Sequence, residues 1–282
     1  MTPTTSPFST VRETNLFVPV LTAAVVPAYN EAGRIGAVLE AIARAQHVQE
    51  IIVVTDGCAD NTAEEARAVA ERLASEFAAN VARGVGCREL RVFELKHNIG
   101  KGGAMTYGAL RTEAEVLLFL DADLIGLETQ QVDDLLAPMI VEEPAQRADM
   151  TLGLFGAVRG GIFGWWLGVC HRQMAALTGQ RAIRREVFLA VPGLTNSRFG
   201  IETAITRYVK YVWKLKVSNV PLHGVTHPVK EEKIGVLKGF RHRLNMYGEI
   251  AAWLMLDIIR NQASAQRREQ AMQMRERFSN RF

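Results

Sequence analysis

Residues 118–125, LFLDADLI, decide how the chain is read. An apolar run with the character of a buried strand stops at Asp121 and Asp123, two aspartates separated by Ala122. Carboxylates that close repel each other and resist desolvation, so something must offset the cost. At the carboxyl end of a parallel strand, such a pair makes a hard oxygen site for Mg²⁺ or Mn²⁺. A turn or capping role explains one of the two and strains to explain both.

Outward from this stretch, short β-rich runs at 22–26, 50–55, 90–95 and 116–120 alternate with helical spacing at 34–45, 61–77 and 102–111. Continuous apolar strands between helices indicate an α/β fold, its mostly parallel sheet covered on both faces. Ligands of such sheets bind outside the carboxyl ends of the strands. The polar motifs fall at those ends: 27–31, 56–62 and 121–123. Beyond about residue 150 the alternation breaks down. A Gly- and Trp-rich stretch precedes a helical pattern at 201–214, a strand at 216–222 and two C-terminal helical patterns. The division expected is a leader over 1–14, an α/β half over 15–150, a second half over 151–235 and C-terminal helices over 236–282.

The bulk composition narrows the function classes. The chain has 282 residues, 48% of them hydrophobic, enough for a substantial core. A net charge of +3 gives no reason to expect nucleic acid. Cys58, Cys87 and Cys170 have no metal-ligand spacing and fit a reducing cytoplasm. A membrane span needs about 20 apolar residues, and no segment supplies them. The apolar run 16–28 is short, lacks a basic leader and cleavage pattern, and runs into Tyr29-Asn30-Glu31.

Three further motifs surround the aspartate pair. In "PAYNE" (27–31), Pro27 cannot donate to a ladder and is expected to end the strand. Asn30 and Glu31 then either cap the next helix or bind a ligand. In "TDGCADNT" (55–62), Asp56 stands at the strand end and Asp60 or Asn61 at a helix start. "NIGKGGA" (98–104) fails as a P-loop, because Leu95 stands where the first glycine belongs and Gly102 where Ser or Thr belongs. It remains a glycine-rich helix entry with one lysine, Lys101, suited to a diphosphate or the edge of a nucleotide.

The ordered set "PAYNE", "DGCADNT", "NIGKGGA" and "LDADL" resembles the GT-A glycosyltransferases of families 2 and 81 over roughly residues 20–230. The resemblance implies the GT-A nucleotide-diphospho-sugar transferase fold with a C-terminal helical extension. It also implies a nucleotide-diphosphate sugar, UDP- or GDP-linked, at the sheet's carboxyl edge. Pro27, Ala28, Tyr29, Asn30 and Glu31 would then face the nucleoside and Asp56 the base, with Lys101 and Gly102 near the diphosphate. Asp121 and Ala122 would lie against the donor, and Asp123 would hold its cation. Relatives commonly have an acidic residue at Thr55 and a serine at Cys58, so the base reading is open. A haloacid-dehalogenase phosphatase ranks lower, because its paired aspartates lie on the first strand, whereas these follow three others.

The second half extends the likeness. "LTGQRAIRREVF" (177–188) and "FGIET" (199–203) resemble the Gly-x-Arg and Gly-x-Glu elements of family 81 glycosyl-3-phosphoglycerate synthases. By that likeness Arg181 approaches the sugar or phosphate, and Glu202 stands beside the reacting sugar. Glu202 is the general base if the reaction inverts, or an orienting group if it retains. His227, or less favourably His223, is the expected outside ligand of the metal. The acceptor reads in two ways. The Gly-x-Arg likeness favours a small phosphorylated acid, whereas "IFGWWLG" (162–168) and the basic, apolar C-terminal helices suit a lipid phosphate and peripheral membrane contact. The same helices offer a homodimer contact. The location expected is cytoplasmic, with the inner membrane face as the alternative.

Overall fold

The computed structural model describes residues 20–84, 86–155, 178–194 and 200–226. The leader, the 162–168 stretch, Cys170, His227 and the C-terminal helices lie outside them. The sheet has seven strands in the order β3-β2-β1-β4-β6-β5-β7. In chain order these are β1 (Thr22–Ala28), β2 (Glu50–Asp56), β3 (Glu89–Leu95), β4 (Val116–Phe119), β5 (Met150–Phe155), β6 (Arg181–Arg184) and β7 (Val217–Leu222). The first four are parallel to one another. β6 runs antiparallel to both neighbours, and β7 is parallel to β5.

The helices are α1 (Ile35–Ala43), α2 (Thr62–Arg72), α3 (Ala74–Arg83), α4 (Lys101–Ala109), α5 (Thr129–Leu136), α6 (Arg185–Ala190) and α7 (Ile201–Thr206). Alternate strand side chains enter opposite clusters, as period two requires. Ala24, Val26, Ile51, Val53 and Leu118 pack with α1, α2 and α5. Ala23, Val25, Ile52, Val54, Leu117 and Phe119 pack with α4, α6 and α7. Both faces are therefore dry, which is why these strands read as unbroken apolar runs.

Several expectations change in detail. Pro27 does not end β1, which runs on to Ala28. β4 leaves β1 after the Val25–Phe119 register pair, so Pro27 lies where only β2 still flanks the strand, an edge-like position that tolerates proline. The helix expected over 61–77 is two, with the break at Leu73; that residue and Phe77 are both buried in the first cluster. The helix over 201–214 is regular only to Thr206 and continues as a wider π turn over Arg207–Val212. The change of pattern near residue 150 separates two parts of one sheet, since β5, β6 and β7 continue it beyond β4. Among the described residues no helix is long and apolar enough to cross a membrane.

The antiparallel β6 is what assembles the site. Phe119 pairs with Arg181, so the chain enters β6 at the edge where β4 ends. That registers 178–181 beside the aspartates although some sixty residues separate them in sequence.

Helix α4 carries Lys101 and lies close against the strands. A Cβ at Gly108 would stand 2.5 Å from Val25 Cγ1 and 3.3 Å from Val54 Cγ2. Alanine is worth about 1 kcal/mol over glycine within a helix, but overpacking a core costs about 1–3 kcal/mol. Gly108→Ala is therefore expected to lower stability, seen as a reduced urea midpoint with an unchanged slope. A raised midpoint would contradict this packing.

Candidate functional site

Asp56 closes β2 and is 3% exposed. Its carboxylate accepts the N–H of Ile99 at 2.7 Å and of Gly100 at 2.8 Å, and its carbonyl accepts the Asn98 side chain at 3.2 Å. Backbone amides at the start of α4 therefore hold the negative charge, where the helix dipole also favours it. Gly57 (φ 67°) lets the two loops touch, since a Cβ there would sit 2.6 Å from Asn98 N. The consequence is a fixed entry to α4, and Lys101 is its first residue.

The turn after β1 is tied to the segment after β2. Asn30, at φ 55°, accepts the Ala59 N–H on Oδ1 at 2.8 Å and donates its own N–H to Cys58 Sγ at 3.3 Å. The N–H of Glu31 reaches Thr62 Oγ1 at 2.9 Å, and that of Ala32 reaches Asp60 Oδ2 at 3.1 Å. Burial opposes ionisation of Asp60, but hydrogen bonds from Thr62 and Ala32 hold its carboxyl below the usual range. Glu65, on another helix, accepts from Gly33 N–H just before α1 at 2.5 Å and from Gly36 N–H at 3.1 Å, while Ile35 N–H, the first of α1, reaches the Glu31 carbonyl at 3.2 Å. Asn30 thus spends its side-chain oxygen on Ala59, and the Glu31 carbonyl receives the amides that open α1. Glu31 pairs with Arg34 at 3.5 Å, and the Tyr29 ring is 53% exposed beside this turn.

The centre is a charge cluster at the carboxyl edge of β4. Lys101 Nζ lies 2.6 Å from Asp121 Oδ1 and 2.6 Å from Glu202 Oε1. All three side chains are partly buried, that of Lys101 to 29% exposure, so Lys101 is not a solvated surface lysine. Burial works against the ammonium charge, but the two carboxylates outweigh it and hold Lys101 above the ordinary lysine range. The second oxygen of Asp121 accepts Gln180 Nε2 at 3.0 Å. Gly179 is pressed against the same pair, since a Cβ there would collide with the Asp121 carboxylate and stand 2.8 Å from Lys101 Nζ.

Arg181 is fully buried behind this cluster. Its guanidinium donates to the Glu202 carbonyl at 3.1 Å, to Thr206 Oγ1 at 3.4 Å and to the Thr178 carbonyl, while Nε has no partner among the described residues. Desolvation pushes Arg181 down to about 10, against the pull of Glu202 and Asp121. The residue expected near sugar or phosphate thus braces the first turns of α7, beneath Glu202.

Asp123 sits half-buried in the turn after Asp121, while Ala28, Gly102 and Ala122 are buried. Two residues beyond Asp123, Ile125 exchanges backbone hydrogen bonds of 2.9 and 3.0 Å with Thr226, the residue before His227. His223 is exposed in the turn after β7, and its carbonyl accepts Gln131 Nε2 at 2.6 Å. Among the described residues no three His, Cys, Asp or Glu side chains gather into a metal cluster. The Asp121–Asp123 turn is acidic and oxygen-rich, a donor set whose chemistry fits a hard cation such as Mg²⁺ or Mn²⁺.

Sequence reasoning missed Thr178, Gln180 and Glu65. The string "TGQR" carries the only signal for the first two, and the Gly-x-Arg likeness reads only its glycine and arginine.

A family model described as glycosyl transferase family 2 matches residues 23–207. Dolichyl-phosphate beta-glucosyltransferase of Trichomonas vaginalis is 33% identical over 132 residues, 43% of this chain and 35% of that protein. The enzyme of that name from Saccharomyces cerevisiae is 34% identical over 104 residues, 35% of this chain and 28% of that protein. The chain thus matches about a third of the length of these curated relatives. Among solved structures, glucosyl-3-phosphoglycerate synthase of Mycobacterium tuberculosis with Mn²⁺, UDP and phosphoglyceric acid superposes with a TM-score of 0.54 at 22% identity, covering 77% of this chain and 74% of that one. The same enzyme with Mn²⁺, UDP-glucose and glycerol 3-phosphate gives 0.54 at 21% identity, covering 81% and 80%. At such identity the likeness establishes the fold.

The Asp56 anchor is testable without substrate. Asp56→Ala leaves two amides without their charged acceptor and is expected to cost about 1.5–3 kcal/mol. Hydrogen exchange should accelerate at Ile99 and Gly100 while the amides of β1 keep their protection. Unchanged exchange at those two positions would refute the anchoring role.

Proposed function

The chain belongs to glycosyl transferase family 2, and on that premise we propose that it moves a hexose from a nucleotide-diphosphate sugar to a phosphate-bearing acceptor with a divalent cation. The observation that carries this reading is the Lys101 bridge between Asp121 and Glu202, beside Asp123 at the sheet's carboxyl edge. Ligands of open α/β sheets bind at that edge, and no structural need of the core calls for three carboxylates and a lysine there.

In this reading the 27–31 turn forms the nucleoside wall, with the exposed Tyr29 ring available to the base. Asp56 holds the entry of α4 so that Lys101 and Gly102 meet the diphosphate. Asp121 orients the donor's ribose or sugar, and Asp123 would hold the cation with His227 as the ligand from outside the motif. When bound, Mg²⁺ or Mn²⁺ supplies Lewis-acid neutralisation of the charge on the departing diphosphate. Lys101 adds preorganised positive charge beside it. Without a donor, Lys101 also keeps Asp121 and Glu202 from repelling each other. Glu202 serves the acceptor hydroxyl, as general base or as orienting group. Arg181 keeps Glu202 in place from behind.

The curated relatives and the solved neighbours cited above are alike named for glucosyl transfer, and those neighbours hold UDP or UDP-glucose. UDP-glucose is accordingly the first donor to test. For the acceptor, the fold neighbours hold phosphoglyceric acid, which supports a small phosphorylated acid. A second reading, a polyprenyl phosphate, is supported by the dolichyl-phosphate enzymes, whose identity to this chain is higher over a shorter stretch of it.

A panel of UDP-glucose and GDP-mannose, each with Mn²⁺, Mg²⁺ or EDTA, tests the donor by calorimetry and by slow hydrolysis without acceptor. Adding 3-phosphoglycerate or a short polyprenyl phosphate then tests the acceptor through nucleotide release. Metal-dependent binding of one donor is expected, as is a loss of turnover of about a hundredfold or more in Asp123→Ala. If no donor binds in a metal-dependent way, the reading falls.

A further inference from the structure

We propose that Gln180 is the positioning residue for Asp121, holding its carboxylate in the donor-binding orientation; this rests on the transferase reading above. Gln180 is fully buried, and its amide N–H meets Asp121 Oδ2 at 3.0 Å. The reverse amide orientation would set oxygen against a carboxylate oxygen, so chemistry fixes which way the group points. The amide oxygen in turn lies 3.0 Å from the Thr178 hydroxyl, which is also 2.7 Å from the Gly153 carbonyl. Main-chain bonds lock the same unit, with Gly153 N–H to Gln180 O at 2.8 Å and Gln180 N–H to Thr178 Oγ1 at 3.3 Å.

Space around the residue is equally committed. A Cβ at Gly153 would stand 2.6 Å from Leu222 Cδ1, 3.1 Å from Gln180 Cβ and 3.2 Å from Leu135 Cδ2. An apolar side chain of similar volume would suit such surroundings better than an amide, because a buried polar group costs free energy unless it is hydrogen-bonded. What the amide gains here is the charged oxygen of Asp121.

The division of labour on that carboxylate explains the need. Oδ1 meets Lys101, which Glu202 shares and for which donor phosphates compete. Oδ2 meets a neutral, buried amide that no incoming anion attracts. When Lys101 turns to the diphosphate, the Gln180 bond to Oδ2 stays in place and resists a swing of Asp121. Gly179, between them, leaves no room for a side chain to intervene.

The test joins a donor-free and a donor-bound measurement on the full chain. In a double-mutant cycle read by urea unfolding, Q180L should destabilise the wild type but not D121A, with a coupling of about fivefold or more in the unfolding constant. With UDP-glucose and Mn²⁺, Q180L should raise the donor Kd and KM about tenfold or more while kcat changes less than about threefold. T178V, which removes the hydroxyl that shares its one proton between the Gly153 carbonyl and the amide oxygen and accepts the Gln180 N–H, should raise Kd about threefold and serves if Q180L does not fold. Absent coupling, or wild-type donor affinity in a folded Q180L or T178V, would overturn the proposal. A wild type that binds no nucleotide sugar while the coupling persists would instead overturn the transferase reading, and the donor role of Gln180 with it.

Discussion

The Lys101 ammonium, lodged between Asp121 and Glu202, is the contact around which the described structure is arranged. Two carboxylates brought that close in a partly desolvated place repel each other, and a single cation shared between them removes the repulsion. Such a contact is worth little on an open surface and much more where water is partly excluded. The chain secures it from three directions. Asp56 fixes the turn from which Lys101 projects, Gln180 fixes Asp121, and Arg181 fixes the turn bearing Glu202.

Each of these supports follows from the sheet. Parallel strands expel their carboxyl-end loops to one edge, so "PAYNE", "DGCADNT" and "LDADL" meet there although they are far apart in sequence. The return through antiparallel β6 then delivers 178–181 to that same edge, next to Phe119. Without a reversed strand at that position, Gln180 and Arg181 would stand at the opposite end of the sheet.

Burying Arg181 carries a cost that the surroundings only partly offset. Its guanidinium finds two carbonyls and a hydroxyl, and desolvation still lowers its proton affinity. A structure that tolerates this cation beneath the site gains a field that favours carboxylates above it, which fits a cleft built to receive and release an anionic leaving group.

Much of the fold was readable from the chain itself. The buried strands announce themselves as apolar runs because both faces are covered, and the polar motifs mark their ends. Asp121 and Lys101 were legible by residue type and neighbours, Glu202 only by the likeness of "FGIET" to a family element, and the three do meet. Their pairing was not legible, nor was Glu65 serving the amides of Gly33 and Gly36 from a neighbouring helix. Pro27 read as a strand end because local rules see only the missing N–H, whereas strand partners decide whether that N–H was needed. Gln180 stayed invisible because nothing near it in sequence asks for an amide. The LFLDADLI stretch by itself determined that two carboxylates end a buried strand, since hydrophobic periodicity and charge are local properties. Which of them meets Lys101, and which buried amide holds it, was decided only by the tertiary structure, because strand order and register, not sequence spacing, bring residues 101, 121, 180 and 202 together.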